Sequence, residues 1–307
     1  MRVLARVLLG LGVFLLVVGV LAVTWAPGVV KRTPLDVDTT TIYEGEAAKL
    51  DAASGDFDLK PAYAIRITRA DSKKSSDDHV IMTETACAVF DTGGAQECVN
   101  GNDPDLITAS IDVFAEDRVS AEAVDDKNLP ADAVPHEGLI NKFPFDVKKK
   151  AYPFWDGDVG EAVDIEYQGT EKLEGLETYK FQYTVEDVPI TIGEGIEGTY
   201  GNVVTVNVDP KTGSIVKSGQ HQQQFLADGT PAADVTLTQT DASVKKAVDE
   251  ATTAGGQLTL VLLVVPIIGF VGGVLCLLAG FLLLRRPRDS GRRVADAPQP
   301  EKVGSGA

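Results

Sequence analysis

Apolar residues gather into two uncharged runs, one near each end of the chain, and the segment between them alternates between polar and apolar. Residues 7–23 and 258–284 contain no charged side chain. A helix needs about 20 apolar residues to cross roughly 30 Å of hydrocarbon, and both runs reach that length with their flanks. They predict transmembrane helices over residues 7–26 and 258–284. The second run is long enough to tilt, and Pro266 inside it predicts a tolerated kink. The alternative for the first run is a cleaved signal peptide with Arg2 and Arg6 as its basic start. Pro27 directly after Ala26 and the length of the run favour an anchor that stays.

Between the runs, strand patterns dominate. Residues 202–208 alternate cleanly, residues 79–90 are rich in Val, Ile, Thr and Met, and residues 63–68, 221–226 and 234–240 read as further strands. Asp209-Pro-Lys-Thr-Gly213 and Asp228-Gly229 supply turns, and residues 161–168 and 178–186 pair across a turn near Gly169 and Gly175. Short turns between successive strands indicate an antiparallel meander. One amphipathic helix follows: Val244, Ala247, Val248 and Ala251 share a face, with Asp241 or Ser243 as the cap and Gly255-Gly256 as the end. The predicted fold class is membrane-anchored and mainly β, an antiparallel β-meander ectodomain (residues 27–257) with a C-terminal amphipathic helix, flanked by two transmembrane helices. Residues 1–6 form a short cytoplasmic start. Residues 285–307, rich in Arg, Pro and Gly, predict a disordered basic tail.

Basic residues set the orientation. Arg2 and Arg6 precede the first run, and Arg285, Arg286, Arg288, Arg292 and Arg293 follow the second. Lys and Arg beside a span stay cytoplasmic, so both termini are expected inside and the central domain outside, in spite of Lys31 and Arg32. That domain holds 20 of the 28 Lys and Arg and 42 of the 45 Asp and Glu, a balance of about −22. Such a field repels nucleic acid and excludes it as a partner.

Cysteine placement agrees with an oxidising compartment. Cys276 lies in the second run, whereas Cys87 and Cys98 flank a turn-rich segment and are expected to form a disulfide. Gly269, Gly273, Cys276 and Gly280 fall on one helical stripe, and Gly12 and Gly19 offer a facing surface for close helix packing or for a homo-oligomer.

Catalytic and metal patterns are sparse. Neither Gly-x-Ser-x-Gly nor His-Glu-x-x-His occurs, and His79, His136 and His221 follow no ligand spacing and read as surface or turn residues. No enzyme and no cofactor are expected. Asp156, Asp158 and Glu161 are a weak candidate for a cation, since hard oxygen ligands in a Gly-containing turn suit Ca²⁺. Lys148, Lys149 and Lys150 run into Tyr152, Phe154 and Trp155. This stretch is either an exposed contact patch or, for its aromatics, a set of core anchors.

Five segments together carry a family resemblance: Phe114-Ala-Glu-Asp-Arg118, residues 136–146, Tyr152-Pro-Phe-Trp-Asp156, residues 175–181 and Asp209-Pro-Lys-Thr-Gly213. Nearly end to end, the chain resembles an actinobacterial envelope family, formerly a domain of unknown function and labelled the porin PorA family. The resemblance implies a two-span envelope protein with an extracytoplasmic domain, and it transfers no catalytic or binding residue. A transmembrane barrel requires apolar outward positions, yet Arg66 and Arg69, and likewise Glu177 and Lys180, differ in phase. The expected role is therefore an extracytoplasmic binding or scaffolding module for an envelope lipid, a glycan or a membrane-protein partner. The alternative is a subunit of a pore-forming oligomer.

Overall fold

Residues 2–93, 98, 103–192 and 195–285 are described by a computed structural model of the chain. They fall into two units. Residues 25–261 form the first, and residues up to 24 together with those from 262 onward form the second.

The first unit opens with a short helix, α2 (Ala26–Val30), after the helix α1 (Arg2–Thr24) of the other unit. Ten strands follow: β1 (Asp38–Lys49), β2 (Lys60–Ala70), β3 (His79–Phe90), β4 (Leu106–Asp117), β5 (Tyr152–Asp156), β6 (Glu161–Leu173), β7 (Leu176–Ile192), β8 (Ile196–Val208), β9 (Ile215–Leu226) and β10 (Pro231–Gln239). They make one antiparallel sheet in the order β4-β3-β2-β1-β10-β9-β8-β7-β6-β5. Eight of the nine neighbours are consecutive in sequence, as a meander requires, and β1 against β10 joins the two halves.

The turns follow the local chemistry. Glu174 and Gly175 connect β6 to β7 with φ of 45° and 91°, the pair of positive angles a two-residue hairpin turn of the primed type demands. Gly169 is not a turn residue. It sits in a bulge, where the register shifts between Tyr167 and Gly169 and φ is 154°. At the β8–β9 turn the Asp209 carboxylate accepts from the Thr212 amide (3.1 Å) and hydroxyl (2.6 Å).

The edge strands do not stay open. Between β4 and β5 the chain runs through residues 118–151, and it bridges the two edges. The Asp117 amide donates to Glu122 O, the Ala123 amide to Gly138 O, and the Leu139 and Trp155 amides complete the link from residue 139 to β5. Isolated pairings Glu116 with Ala123, Glu122 with Leu139 and Leu139 with Phe154 carry the ladder across. The sheet thus curls into a ring, and pairing both edges removes the unpaired N–H and C=O groups that an edge exposes. Ala121 (φ 61°) and Gly138 (φ 68°) make the tight reversals in this segment; a side chain at 138 would meet Pro153 O at 2.5 Å.

The largest core lies inside the ring, under β5–β8. Phe143 stacks within 4.7 Å of Phe181 and 5.3 Å of Tyr152, and Leu139, Ile165, Val206 and Val208 complete the cluster. A smaller core outside packs Val244, Val248 and Ala251 of α3 (Asp241–Thr259) on Val216. Thr240, rather than Asp241 or Ser243, caps this helix: its backbone is extended and its hydroxyl accepts from the Ser243 amide. The Ser243 hydroxyl accepts instead from Ile42 N, which ties the helix to β1. Nor does the helix end at Gly255-Gly256. Gly255 is buried, and its Cβ would stand 3.5 Å from Lys211 Cδ and 3.8 Å from the Asp209 carboxylate, so the glycine allows close approach of the β8–β9 turn.

Both ends of this unit converge on the same loops. Lys31 pairs with Asp146, and Lys211 donates to the Thr259 hydroxyl. Residues 143–147 bond in turn to the β8–β9 turn, through the amides of Phe143, Asp146 and Val147.

Cys87 on β3 is bonded to Cys98, eleven residues on. Closing a loop of that size restricts the unfolded chain, and Cys87→Ser is expected to cost about 2–3 kcal/mol. Denaturation midpoints compared with and without reductant check this, since the variant should lose all sensitivity to reduction.

In the second unit, α1 packs against the C-terminal helical run. That run consists of a π-helical turn (Leu260–Val264), α4 (Val265–Ile267), a second π turn (Ile268–Gly272) and α5 (Gly273–Arg285). Pro266 lacks an N–H and sits between the two π turns, which absorb the missing bond by widening the helix. Arg2–Thr24 and Asp241–Arg285 are each long and apolar enough to cross a membrane, by length and composition. Glycines lie where the two helices approach each other. A Cβ on Gly269 would lie 2.8 Å from Gly19 Cα, one on Gly273 2.8 Å from Leu16 Cγ, and one on Gly280 2.9 Å from Leu9 Cγ. Cys276 is half-buried in the same run. The expected tail over 285–307 lies, after Arg285, outside the described residues.

Candidate functional site

Directly paired residues of neighbouring strands share a face, so the register traces one continuous surface around the inside of the ring. From β4 to β1 it carries Glu116, Phe114 and Asp112, then Met82 and Glu84, then Thr68 and Arg66, then Thr41 and Tyr43. From β10 to β7 it carries Leu237 and Val235, then Gln220, Gln222 and Gln224, then Val204, Asn202 and Tyr200, then Tyr183 and Phe181. Arg66 on β2 and Tyr183 on β7 are five strands apart, yet they are electrostatic neighbours. That proximity shows the face is concave.

One sector of this face is apolar and sealed; the other is polar and partly open. In the open sector the Arg66 side chain retains 43% of its surface, approaches Glu84 at 3.3 Å and lies over the Tyr43 ring. Thr68 donates to Glu84 at 3.0 Å. Gln220, Gln222 and Gln224 are half-buried and project from β9 in alternation.

Asp156 anchors the boundary between the two sectors. It is 3% exposed and accepts from the Tyr183 hydroxyl at 2.9 Å, the Tyr200 hydroxyl at 3.2 Å and the amides of Asp158 and Val159. The Tyr200 hydroxyl accepts in turn from Asn202 Nδ2 at 2.9 Å. Burial, with the Asp156 charge second, pushes both phenols well above the ordinary tyrosine range, so they stay donors. The groups left accessible on the concave face are the Arg66 guanidinium, the Glu84 carboxylate and the β9 glutamine amides, whereas Tyr183, Tyr200 and Asn202 are buried around Asp156.

The residues singled out from sequence are distributed differently. Asp156 is committed to its tyrosines, Asp158 is exposed, and Glu161 stands opposite Asp156 on the outer end of β6. Among the described residues no group of three or more His, Cys, Asp and Glu is placed to hold a metal, and these three do not converge. The aromatic patch is a core feature: the pleat of β5 turns Tyr152 and Phe154 inward, to 6% and 8% exposure, and leaves Trp155 half-buried on the other phase. The lysines beside it cover aromatic faces, with Lys149 over Tyr167 and Tyr179 and Lys150 over Tyr152. Lys148 is exposed.

His136 is not at the surface. Its side chain is 4% exposed, lies 4.6 Å from the Trp155 ring and 5.6 Å from Phe114, and bonds Asp112 at 2.8 Å. It fills the gap between β4 and β5 because the ring-closing segment carries it there. His79 pairs with Asp126 and His221 with Asp234. The alternating glutamines of β9 were the available sequence signal for the polar sector. On the opposite face of β7–β10 a shallow groove of about 390 Å³ is lined by Glu171, Lys180, Thr205, Asn207, Lys217 and His221.

The comparisons with known proteins agree with one another. The profile of the family described as "Porin PorA" matches residues 4–282. A "Porin PorA" of Corynebacterium amycolatum is 26% identical over 181 residues, which cover 42% of this chain and 47% of the relative. A "Porin PorA" of Corynebacterium resistens is 29% identical over 140 residues, covering 41% and 32%. The chain thus spans half or less of the length of these relatives.

Proposed function

The chain belongs to the porin PorA family, and from that premise we propose that it is a non-catalytic envelope membrane protein whose β unit binds or scaffolds an envelope component. In this reading α1 and the C-terminal apolar run anchor the protein, both termini are cytoplasmic, and residues 27–257 stand outside. The observation that carries it is the concave face of the ring, with Arg66, Glu84 and the β9 glutamines accessible beside a sealed core. A second reading, a subunit of a pore-forming oligomer, is favoured by the name of the relatives. In that case the pore would be built by the apolar helices, because both faces of the sheet carry charged residues: Arg66 and Glu84 on one, Lys180 and Glu171 on the other.

Full-length protein extracted in mild detergent separates the two readings. Native mass spectrometry is expected to find a co-purifying lipid or glycan that is lost in Arg66→Ala, with no unitary conductance in planar bilayers. Stepwise conductance from an apo protein would overturn the binding reading in favour of the pore.

A further inference from the structure

Glu116 is the most anomalous side chain in the β unit. It is fully buried on β4 (0% exposed), and among the described residues neither carboxyl oxygen has a hydrogen-bond partner. The buried Thr33 hydroxyl lies beside it, and among the described residues it makes no hydrogen bond of normal geometry either. Burying a charged carboxylate without hydrogen bonds is costly, and in practice the group takes up a proton instead. Its position makes the cost matter to the fold. Glu116 belongs to the ladder that closes the ring, paired with Ala123, and the amides on either side of that pairing (Asp117 and Val124) bond across the same junction.

The charged groups around it are few. Lys142, from the closing segment, faces Glu116 and also Asp209 of the β8–β9 turn. Its ammonium is occupied: it donates to Phe143 O at 2.9 Å and Thr212 O at 2.8 Å and lies 4.0 Å from the Phe145 ring. It comes within ion-pair distance of no carboxylate among the described residues. Asp117 follows on the same strand and faces His79 of β3. Opposite Glu116 on β3 stands Val80, which is apolar and sealed.

We propose that Glu116 is a proton-binding site that fastens the closure of the ring, the junction being tight when the carboxyl is protonated and loosened when it ionises. A neutral carboxyl can donate to the Thr33 hydroxyl and leaves no buried charge; an ionised one needs water or a displaced Lys142, and either opens the segment at 121–124 and 138–143. Burial raises the folded-state value to about 7 from 4.5, with Lys142 opposing. A group raised on folding stabilises fully below its unfolded value and loses that contribution as pH rises through its folded value. The window is therefore about pH 4.5–7, and acidification tightens the junction. Lys142, lowered by burial to about 8, acts outside it: its contribution is present above 10.5, is lost as pH falls through about 8, and is constant below. Asp117, held low chiefly by the Ser120 and Val119 amides against burial, titrates below the window.

Hydrogen exchange on the full-length protein in detergent tests this, with rates corrected for intrinsic pH dependence and residues 203–208 as internal reference. Protection of 115–124 and 138–143 is expected to fall as pH rises from 5 to 8, by at most roughly tenfold per pH unit inside the window. Glu116→Gln, neutral at every pH, should hold the protected level throughout, and His79→Gln should keep the wild-type dependence. Wild-type protection that does not change between pH 5 and 8 overturns the proposal even if the Gln variant fails to fold. So does a folded Glu116→Gln protein that keeps the wild-type dependence.

Discussion

Asp156→Ala is expected to destabilise the β unit by about 3–5 kcal/mol, the sum of several small penalties at one buried position. The substitution strands the Tyr183 and Tyr200 hydroxyls, both of which point at the carboxylate, and it frees the amides of Asp158 and Val159 that set the β5–β6 turn. Each buried donor left without a partner costs about 1–3 kcal/mol. The phenols cannot escape by ionising, since burial and the neighbouring acidic charge hold them protonated. Urea denaturation of the full chain, followed by Trp fluorescence, reads the loss. Asp158→Asn is the comparison: that side chain is exposed, its amide serves the turn, and its carboxyl stands beside Asp156 and the Tyr200 hydroxyl without being sealed there, so the neutral isostere should change stability by less than about 1 kcal/mol. Equal midpoints for the two variants would show that the tyrosine network contributes little.

A second large effect is expected in the apolar unit. Gly269→Leu should separate α1 from the C-terminal run. A Cβ at 269 already lies 2.8 Å from both Gly19 Cα and Leu15 O, and backbone atoms cannot swing aside as a flexible side chain does. Without a hydrophobic drive between helices in lipid, association depends on such close contact, so separating the backbones removes most of the attraction. Slower electrophoretic migration in mild detergent, from a less compact pair, is the expected readout. Gly10→Leu, where a Cβ meets nothing within 4 Å, should migrate as the parent does. If both variants migrate alike, close glycine contact is not what holds the pair.

The two substitutions also mark the boundary between local and long-range information. Gly269, Gly273 and Gly280 are legible as a packing stripe because helical geometry repeats every 3.6 residues, so spacing alone puts them on one side. The β8–β9 and β9–β10 turns are legible for a similar reason: Asp209-Pro-Lys-Thr-Gly213 and Asp228-Gly229 state their own backbone conformations. The capping of α3 was less so. Asp241, Thr240 and Ser243 are all chemically competent, and only the contact of Ser243 with β1 leaves Thr240 as the cap.

Alternation along β5 separated Tyr152 and Phe154 from Trp155, but no pattern within five residues says which phase is inside. The pairing of β5 with β6, and the closing segment laid across it, made the first pair core. His136 shows the same limit more sharply: a polar residue in a loop reads as exposed until the loop is known to bridge two sheet edges.

From the sequence by itself followed the two apolar helices, the acidic antiparallel meander between them, its turns, the Cys87–Cys98 pair and the family. The family rests on the resemblance of five segments, and the rest on composition or on periods of a few residues. Ring closure, the concave polar sector around Arg66 and Asp156, and the buried Glu116 were decided only by tertiary structure. Each depends on contacts between strands far apart in the chain, and local periodicity contains no information about which distant strands will meet.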